Sequence, residues 1–291
     1  MKAADFIYHR AATVAEALSL LDDYGGEARI LAGGQSLVPM MNMRLWRPAA
    51  LVDINGIAEL AAFETRGDEI VVGAMVRYAT IEASPFFAAH LPLIARMVRH
   101  IGDRQVRNRG TIGGSLVQGD PTSEMALACL VLGAKVRTVS LTGGREIPMD
   151  EFYHGSYAAD LEPGEVLREI LFPRPPSHHA FRELCRRHND FAVLSVAACG
   201  NRSADGRWQD LALGLGGVHD TAILAREAAA LLAGSALGDD DIAAATAAAI
   251  QRISPNSDMR ASEAYRRHLV SLYVPLVLRD LRESALHPAA H

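Results

Sequence analysis

The chain has only three cysteines in 291 residues, Cys129, Cys185 and Cys199. None is close enough to another to form a CxxC pair, so a disulfide scaffold and a zinc ribbon are both excluded. Four cysteine ligands for an iron–sulfur cluster cannot come from three residues. Basic excess is missing too: 29 Lys+Arg stand against 34 Asp+Glu, a net charge of −5. The basic clusters, such as Arg104 to Arg109, are too short for a nucleic-acid surface. No apolar run approaches the length of a membrane span. Met1-Lys2-Ala3-Ala4-Asp5 is not followed by an apolar signal core, and a cytoplasmic protein is expected. Neither GxGxxG, GxxxxGK[ST] nor GxSxG occurs, which argues against a Rossmann fingerprint, a P-loop and a nucleophile elbow.

What remains is a globular composition, 49% hydrophobic and 22% charged, with a length that fits about two domains. Thr13 and Glu16 stand at capping-box spacing and open a helix that should stop at Gly25-Gly26. Apolar runs predict strands at 28–32, 51–54, 69–72, 135–140, 166–172, 192–199 and 211–216. Ser84-Pro85 predicts a helix start, continuing to about His100 with a bend near Pro92. Thr122 and Ser123 can cap a helix ending at Gly133. Further helices are expected over 221–232, 239–253 and 262–281. Strands and helices are intermixed without regular βαβ alternation, so the fold class is α+β. Pro173-Arg174-Pro175-Pro176 cannot continue either element and marks a boundary, dividing the chain into 1–176 and 177–291.

Two glycine loops stand out. One is Leu31-Ala32-Gly33-Gly34-Gln35-Ser36-Leu37, the other Arg109-Gly110-Thr111-Ile112-Gly113-Gly114-Ser115. Backbone free of side chains can bring successive N–H groups to an anion, and nearby hydroxyls add donors. Two such loops suit a pyrophosphate held from both sides. An ordinary turn accounts for a Gly-Gly pair equally well. His178-His179 has no partner at metal-ligand spacing and is expected in a solvated loop. Asp120 and Asp190 are expected in turns or at a domain interface.

Beyond these loops, Ile101 to Ser115 as a whole, Gly119-Asp120-Pro121 with Glu124, Arg186-Arg187-His188-Asn189-Asp190-Phe191-Ala192, Asp258 to Ser262 and Tyr265-Arg266-Arg267 recur in one order. Together they resemble the FAD-binding medium subunit of molybdenum hydroxylases, the family of aerobic carbon monoxide dehydrogenase and xanthine dehydrogenase. The resemblance covers nearly the whole chain.

It implies a vanillyl-alcohol-oxidase-type (PCMH) FAD-binding domain of two α/β subdomains over 1–176. A small sheet-and-helix domain, the carbon monoxide dehydrogenase flavoprotein C-terminal type, would follow over 177–291. By the same resemblance, Leu31, Ala32, Gly33, Gly34, Gln35, Ser36 and Leu37 would wrap the FAD pyrophosphate. Thr111, Ile112, Gly113, Gly114 and Ser115 would form the second loop. Ile101 would pack on the cofactor, with plain core packing as its alternative. Glu124 would hydrogen-bond it, where the family often has Asp; a carboxylate in the first turn of a helix is the competing role. Leu167 would offer its backbone to the flavin or simply fill the core. Arg182 would place a permanent cation near the flavin or lie on the surface. No catalytic acid–base pair and no metal site are expected on this chain.

The implied activity is electron transfer within a heteromeric oxidoreductase. A large subunit would carry molybdopterin and a small subunit two [2Fe–2S] clusters, in a dimer of heterotrimers. A stand-alone FAD carrier and a FAD-linked oxidase are the alternatives. The resemblance does not name a substrate.

Overall fold

The computed structural model describes residues 2–187 and 189–284. The first layer is a parallel sheet of β1 (Ile7–Arg10), β2 (Ala28–Leu31) and β3 (Ala50–Asp53) in the order β1-β3-β2. Helix α1 (Val14–Asp23) connects the first two strands. Its capping is as the sequence predicts: Thr13 Oγ1 accepts from the Glu16 N–H at 3.1 Å, and Glu16 accepts from the Ala12 N–H at 2.7 Å. Val14, Ala17, Leu18 and Leu21 form its buried stripe. After β2 the chain turns through the first glycine loop into α2 (Leu37–Asn42).

A second subdomain follows. Its antiparallel sheet runs β4-β5-β10-β6-β7, with β4 (Phe63–Arg66), β5 (Glu69–Gly73), β6 (Lys135–Val139) and β7 (Glu146–Pro148). A small hairpin, β8 (Tyr153–Gly155) with β9 (Ala158–Ala159), precedes β10 (Val166–Phe172). Between β5 and β6 lie short helices: α3 (Tyr78–Ala83), α4 (Pro85–His90), α5 (Pro92–Met97), α6 (Arg104–Arg109), α7 (Ile112–Gln118) and α8 (Glu124–Val131). The expected helix from Ser84 to His100 is broken rather than bent. Leu91, at φ −135° and ψ 59°, leaves the helical region, and Pro92 starts a new helix. Proline removes an N–H and pushes the residue before it out of the helical region, so a clean break follows.

Helix α8 joins the two halves of the molecule. Met125 to Val131 are all buried, with no polar face. One side packs in the second subdomain. The other lies on the C-terminal sheet, where a Cβ on Gly214 would come within 2.4 Å of Val131 Cγ2 and 2.7 Å of Leu127 Cδ1.

The C-terminal sheet is an antiparallel meander of β11 (His178–Cys185), β12 (Ala192–Arg202), β13 (Trp208–Gly216) and β14 (Ile223–Leu224). Helices α9 (Arg226–Leu232), α10 (Asp239–Arg252) and α11 (Glu263–Glu283) cover the face opposite α8. Covering on both faces explains why Ala192 to Gly200 reads as a small-apolar run interrupted only by Ser195, buried throughout. Two expectations are corrected here. His178-His179 is not a solvated loop: it opens β11, and His178 is buried against Trp208. The helix expected from Thr221 begins only at Arg226, because Ile223 and Leu224 pair with β13 instead. His188 lies outside the described residues. Among the described residues, no helix is long and apolar enough to cross a membrane.

Arg266, buried to 3% exposure, ties the helices to the sheet. Its guanidinium donates to the backbone carbonyls of Val193 and Gly217 at 2.6 and 2.5 Å and to Asp258 at 2.9 Å. Asp258 in turn accepts from the backbone N–H groups of Arg260 and Ala261. Removing this cation takes a charged donor from two carbonyls and from Asp258. Arg266→Ala is therefore expected to destabilise the fold by about 2–4 kcal/mol. A shift of the urea midpoint at unchanged slope measures this, and an unchanged midpoint contradicts it.

Candidate functional site

The two glycine loops meet. A Cβ placed on Gly33 would lie 2.3 Å from the Arg109 carbonyl oxygen and 2.9 Å from Gly110 Cα. Gly33 is glycine because the second loop's backbone occupies the space of a side chain. Gly113 is constrained in the same way by the protein, with Ala74 Cβ 2.5 Å from its missing Cβ. These glycines bring backbone to backbone, which the sequence reading did not foresee. Gly34, at φ +73°, turns the first loop.

Hydrogen bonding separates the two loops. In the second, Thr111 caps α7 by accepting from the Gly114 N–H at 3.1 Å, and Ile112 and Gly113 donate to the Val76 and Ala74 carbonyls. Its amides are therefore occupied. In the first loop, no described residue accepts from the backbone N–H of Gly33, Gly34, Gln35 or Ser36. The side chain of Gln35 folds back to the Gly33 carbonyl at 3.1 Å. Four successive donors without an internal acceptor form an anion-binding nest. They border a cleft of about 360 Å³ lined by Leu31, Gly33, Gly34, Gln35, Val38, Pro39 and Arg109. Arg109, from the basic cluster that was too short for nucleic acid, is among the described residues the one charged residue lining this cleft.

A brace that sequence reasoning missed fixes the spacing of the loops. Asn55 lies two residues beyond the end of β3. Its amide donates to the Ala32 carbonyl at 2.9 Å and to the Asp53 carboxylate, while its oxygen accepts from Arg77. The Arg77 guanidinium also donates to the Arg109 carbonyl. One arginine and one asparagine thus link loop to loop. The only sequence signal for this was an Asn placed directly after a strand end.

The other expected residues divide. Ile101 and Leu167 are buried in the core of the second subdomain, Leu167 where the pairing of β10 with β6 shifts register. Ser115 accepts from the buried Tyr78 hydroxyl, which carries the second loop's polar edge inward. Glu124 opens α8, whose N-cap is Ser123. Burial, then the nearby charge of Glu183, pushes its carboxyl up to about 8. Arg182 is not brought to the loops. It lies on β11 and grips Asp280 of α11 at 2.6 and 2.9 Å. Of the two expected turn residues, Asp120 accepts from the Thr122 N–H and hydroxyl and from Tyr157, and Asp190 pairs with Arg187.

The family model for the FAD binding domain in molybdopterin dehydrogenase matches residues 3–175 of this chain. That for the CO dehydrogenase flavoprotein C-terminal domain matches residues 179–280. The chain belongs to the FAD-binding medium subunits of the molybdenum hydroxylases. It is 38% identical over 291 residues to the 6-hydroxypseudooxynicotine dehydrogenase complex subunit alpha of Paenarthrobacter nicotinovorans, covering 99% of this chain and 97% of that one. To the carbon monoxide dehydrogenase medium chain of Afipia carboxidovorans it is 36% identical over 269 residues, covering 92% and 93%. Reconstituted CO dehydrogenase from Oligotropha carboxidovorans superposes with a TM-score of 0.95 at 34% identity, covering 98% of this chain and 100% of that one. This medium subunit is thus an oxidoreductase subunit with FAD as its cofactor.

Two expectations follow from this geometry. Asn55→Ala cuts the brace without entering the cleft, and losing one to two net hydrogen bonds should weaken FAD binding about tenfold. Flavin fluorescence titration reads the effect, and unchanged affinity shows that the loops hold their spacing without Asn55. The second concerns pH. A carboxyl held above its unfolded value binds its proton more tightly when folded. Its stabilising contribution is full below the unfolded pKa of 4.5 and is lost as pH rises from there to about 8. In Glu124→Gln the apoprotein should lose less stability between pH 5 and pH 8.5 than the wild type does, as read by thermal unfolding. Equal losses contradict the assignment.

Proposed function

We propose that this chain is the electron-transfer subunit of a cytoplasmic molybdenum hydroxylase complex. In this reading a large subunit oxidises the substrate at a molybdopterin centre. Two [2Fe–2S] clusters on a small subunit relay the electrons to this chain, which delivers them to an external acceptor. The assembly is a dimer of heterotrimers. The three cysteines support this division: Cys129 and Cys199 are buried in the core, and three thiols cannot ligate even one all-cysteine cluster.

The observation that carries the proposal is the row of unpaired amides from Gly33 to Ser36 beside Arg109. A dianionic pyrophosphate fits this donor set, since no described residue lining the cleft carries a negative charge. FAD, when bound, supplies the means to take up electrons singly and release them in pairs. The protein's own part is positional. The amides of Gly33, Gly34, Gln35 and Ser36 hold the pyrophosphate, Arg109 neutralises charge, and Asn55 with Arg77 keeps the two loops in place. The second loop, from Thr111 to Ser115, forms the facing wall, with Ile101, Glu124 and Leu167 behind it. Arg182 acts instead as a clamp between sheet and helix through Asp280.

Titration with FAD should give close to one bound flavin per chain, with affinity that weakens as salt rises. Arg109→Gln should lower that affinity about tenfold, the worth of one charge-assisted contact. Absence of bound flavin at saturating FAD overturns the site. Purification from the native host should bring iron, molybdenum and two further subunits along. A solitary yellow protein that consumes oxygen would support an oxidase instead.

A further inference from the structure

The parallel sheet ends where the first glycine loop begins. Asp53 closes β3, the central strand, with Arg10 of β1 and Leu31 of β2 as its register partners. The backbone here is tied to both neighbours: the Ala11 N–H donates to the Asp53 carbonyl at 3.0 Å, and the Ile54 N–H to the Leu31 carbonyl at 3.2 Å. Asp53 is only 8% exposed, so its charge depends on its partners.

Both carboxylate oxygens are used. Oδ2 accepts from the Tyr8 hydroxyl at 2.5 Å. Oδ1 accepts from the Asn55 backbone N–H at 2.8 Å and from the Asn55 side-chain amide at 2.5 Å. Burial would raise the Asp53 carboxyl, but the hydrogen bonds from Tyr8 and Asn55, with the Arg10 charge, outweigh it and hold the group below the usual carboxylate range. At neutral pH this side chain is an anion that can only accept.

That property decides which way the Asn55 amide faces. A carboxamide can be turned either way round. Here its two N–H groups are claimed by Asp53 Oδ1 and the Ala32 carbonyl, neither of which has a hydrogen to give. The oxygen is left for the Arg77 guanidinium, which also holds the Arg109 carbonyl. Turned over, the amide would set its oxygen against two acceptors and its N–H groups against a cation. Burial and then Arg109 work against the Arg77 cation, and the Asp53 charge works for it.

We propose that Asp53 is a positioning residue for cofactor binding: it orients the Asn55 amide toward Arg77 and supplies counter-charge to that cation, while Tyr8 fixes the carboxylate. Asp53 does not line the cleft and acts on it through Asn55. The row Tyr8, Asp53, Asn55, Arg77 carries the position of the sheet to the Arg109 carbonyl, the atom for which Gly33 leaves room. The inference rests on the FAD site proposed above.

The test is a double-mutant cycle on the FAD affinity of the full chain, read by flavin fluorescence titration. Asp53→Asn keeps the shape, removes the charge and puts N–H groups where Asn55 and Tyr8 donate. It should weaken FAD binding about tenfold, the worth of a hydrogen bond to a charged group. Because Asp53 acts through Asn55, adding Asp53→Asn to Asn55→Ala should cost less than about twofold more. A general loosening of the fold would instead multiply the two losses, to about a hundredfold. Tyr8, whose side chain is half exposed, supplies a variant that does not depend on the folding of Asp53→Asn. Tyr8→Phe should weaken FAD binding about threefold and have no effect in the Asn55→Ala background. Equal affinity in the wild type and either single variant, or losses that multiply in either pair, overturns this inference and leaves the FAD site standing. Failure of the wild type to bind FAD overturns both.

Discussion

Everything at the cleft between the glycine loops depends on one contact, the approach of Gly33 to the backbone of Arg109 and Gly110. These two loops come from different subdomains, one following a parallel strand and the other leading into a short helix. Neither is held by its own sheet at the point where they touch. The Asn55–Arg77 brace supplies what the sheets do not. It grips the Ala32 carbonyl on one side and the Arg109 carbonyl on the other. Burial and the nearby Arg109 charge both work against the Arg77 cation, so its place here is set by the carbonyl and amide it satisfies. The first loop is left with free amides because its structural hydrogen bonds run through its carbonyls.

The two glycine loops divide the work. In the second loop the amides are spent inside the protein, on Thr111, Ala74 and Val76. That loop is a fixed wall. The first loop keeps four donors pointing away from any internal acceptor. A pyrophosphate gripped symmetrically from both sides was the natural reading of two similar sequences, but the hydrogen bonding is asymmetric. Similar glycine spacing serves two arrangements: one loop leaves its amides free, and both loops admit another backbone.

Much of the fold was legible because its signals are local. Thr13 with Glu16, Ser84 with Pro85, and Ser123 and Ser262 each cap the helix expected of them. The long buried strand at Ala192 was readable from apolar content alone. What was hidden depends on partners distant in sequence. His178 reads as polar, yet it is buried because Trp208 on a neighbouring strand packs on it. Ile223 and Leu224 carry helix-compatible side chains, and only β13 makes them a strand. The short helices α6 and α7 have too few turns to show a periodicity. At the site, glycines and hydroxyls announced the loops, whereas the contributions of Asn55, Arg77 and Arg109 appear only when both loops are in place. Arg182 shows the converse: its sequence context gives no sign of its partner, Asp280, 98 residues away.

The same division explains how a medium subunit can be so recognisable while revealing nothing about substrate. This chain is nearly as similar to a subunit named for carbon monoxide as to one named for 6-hydroxypseudooxynicotine. The constraints on the two loops concern backbone clearance and amide donors, and each is internal to this chain. A change of substrate elsewhere in a complex leaves them untouched. Loss of clearance at Gly33 would be felt with any substrate, because it separates two loops of this chain and not a substrate pocket.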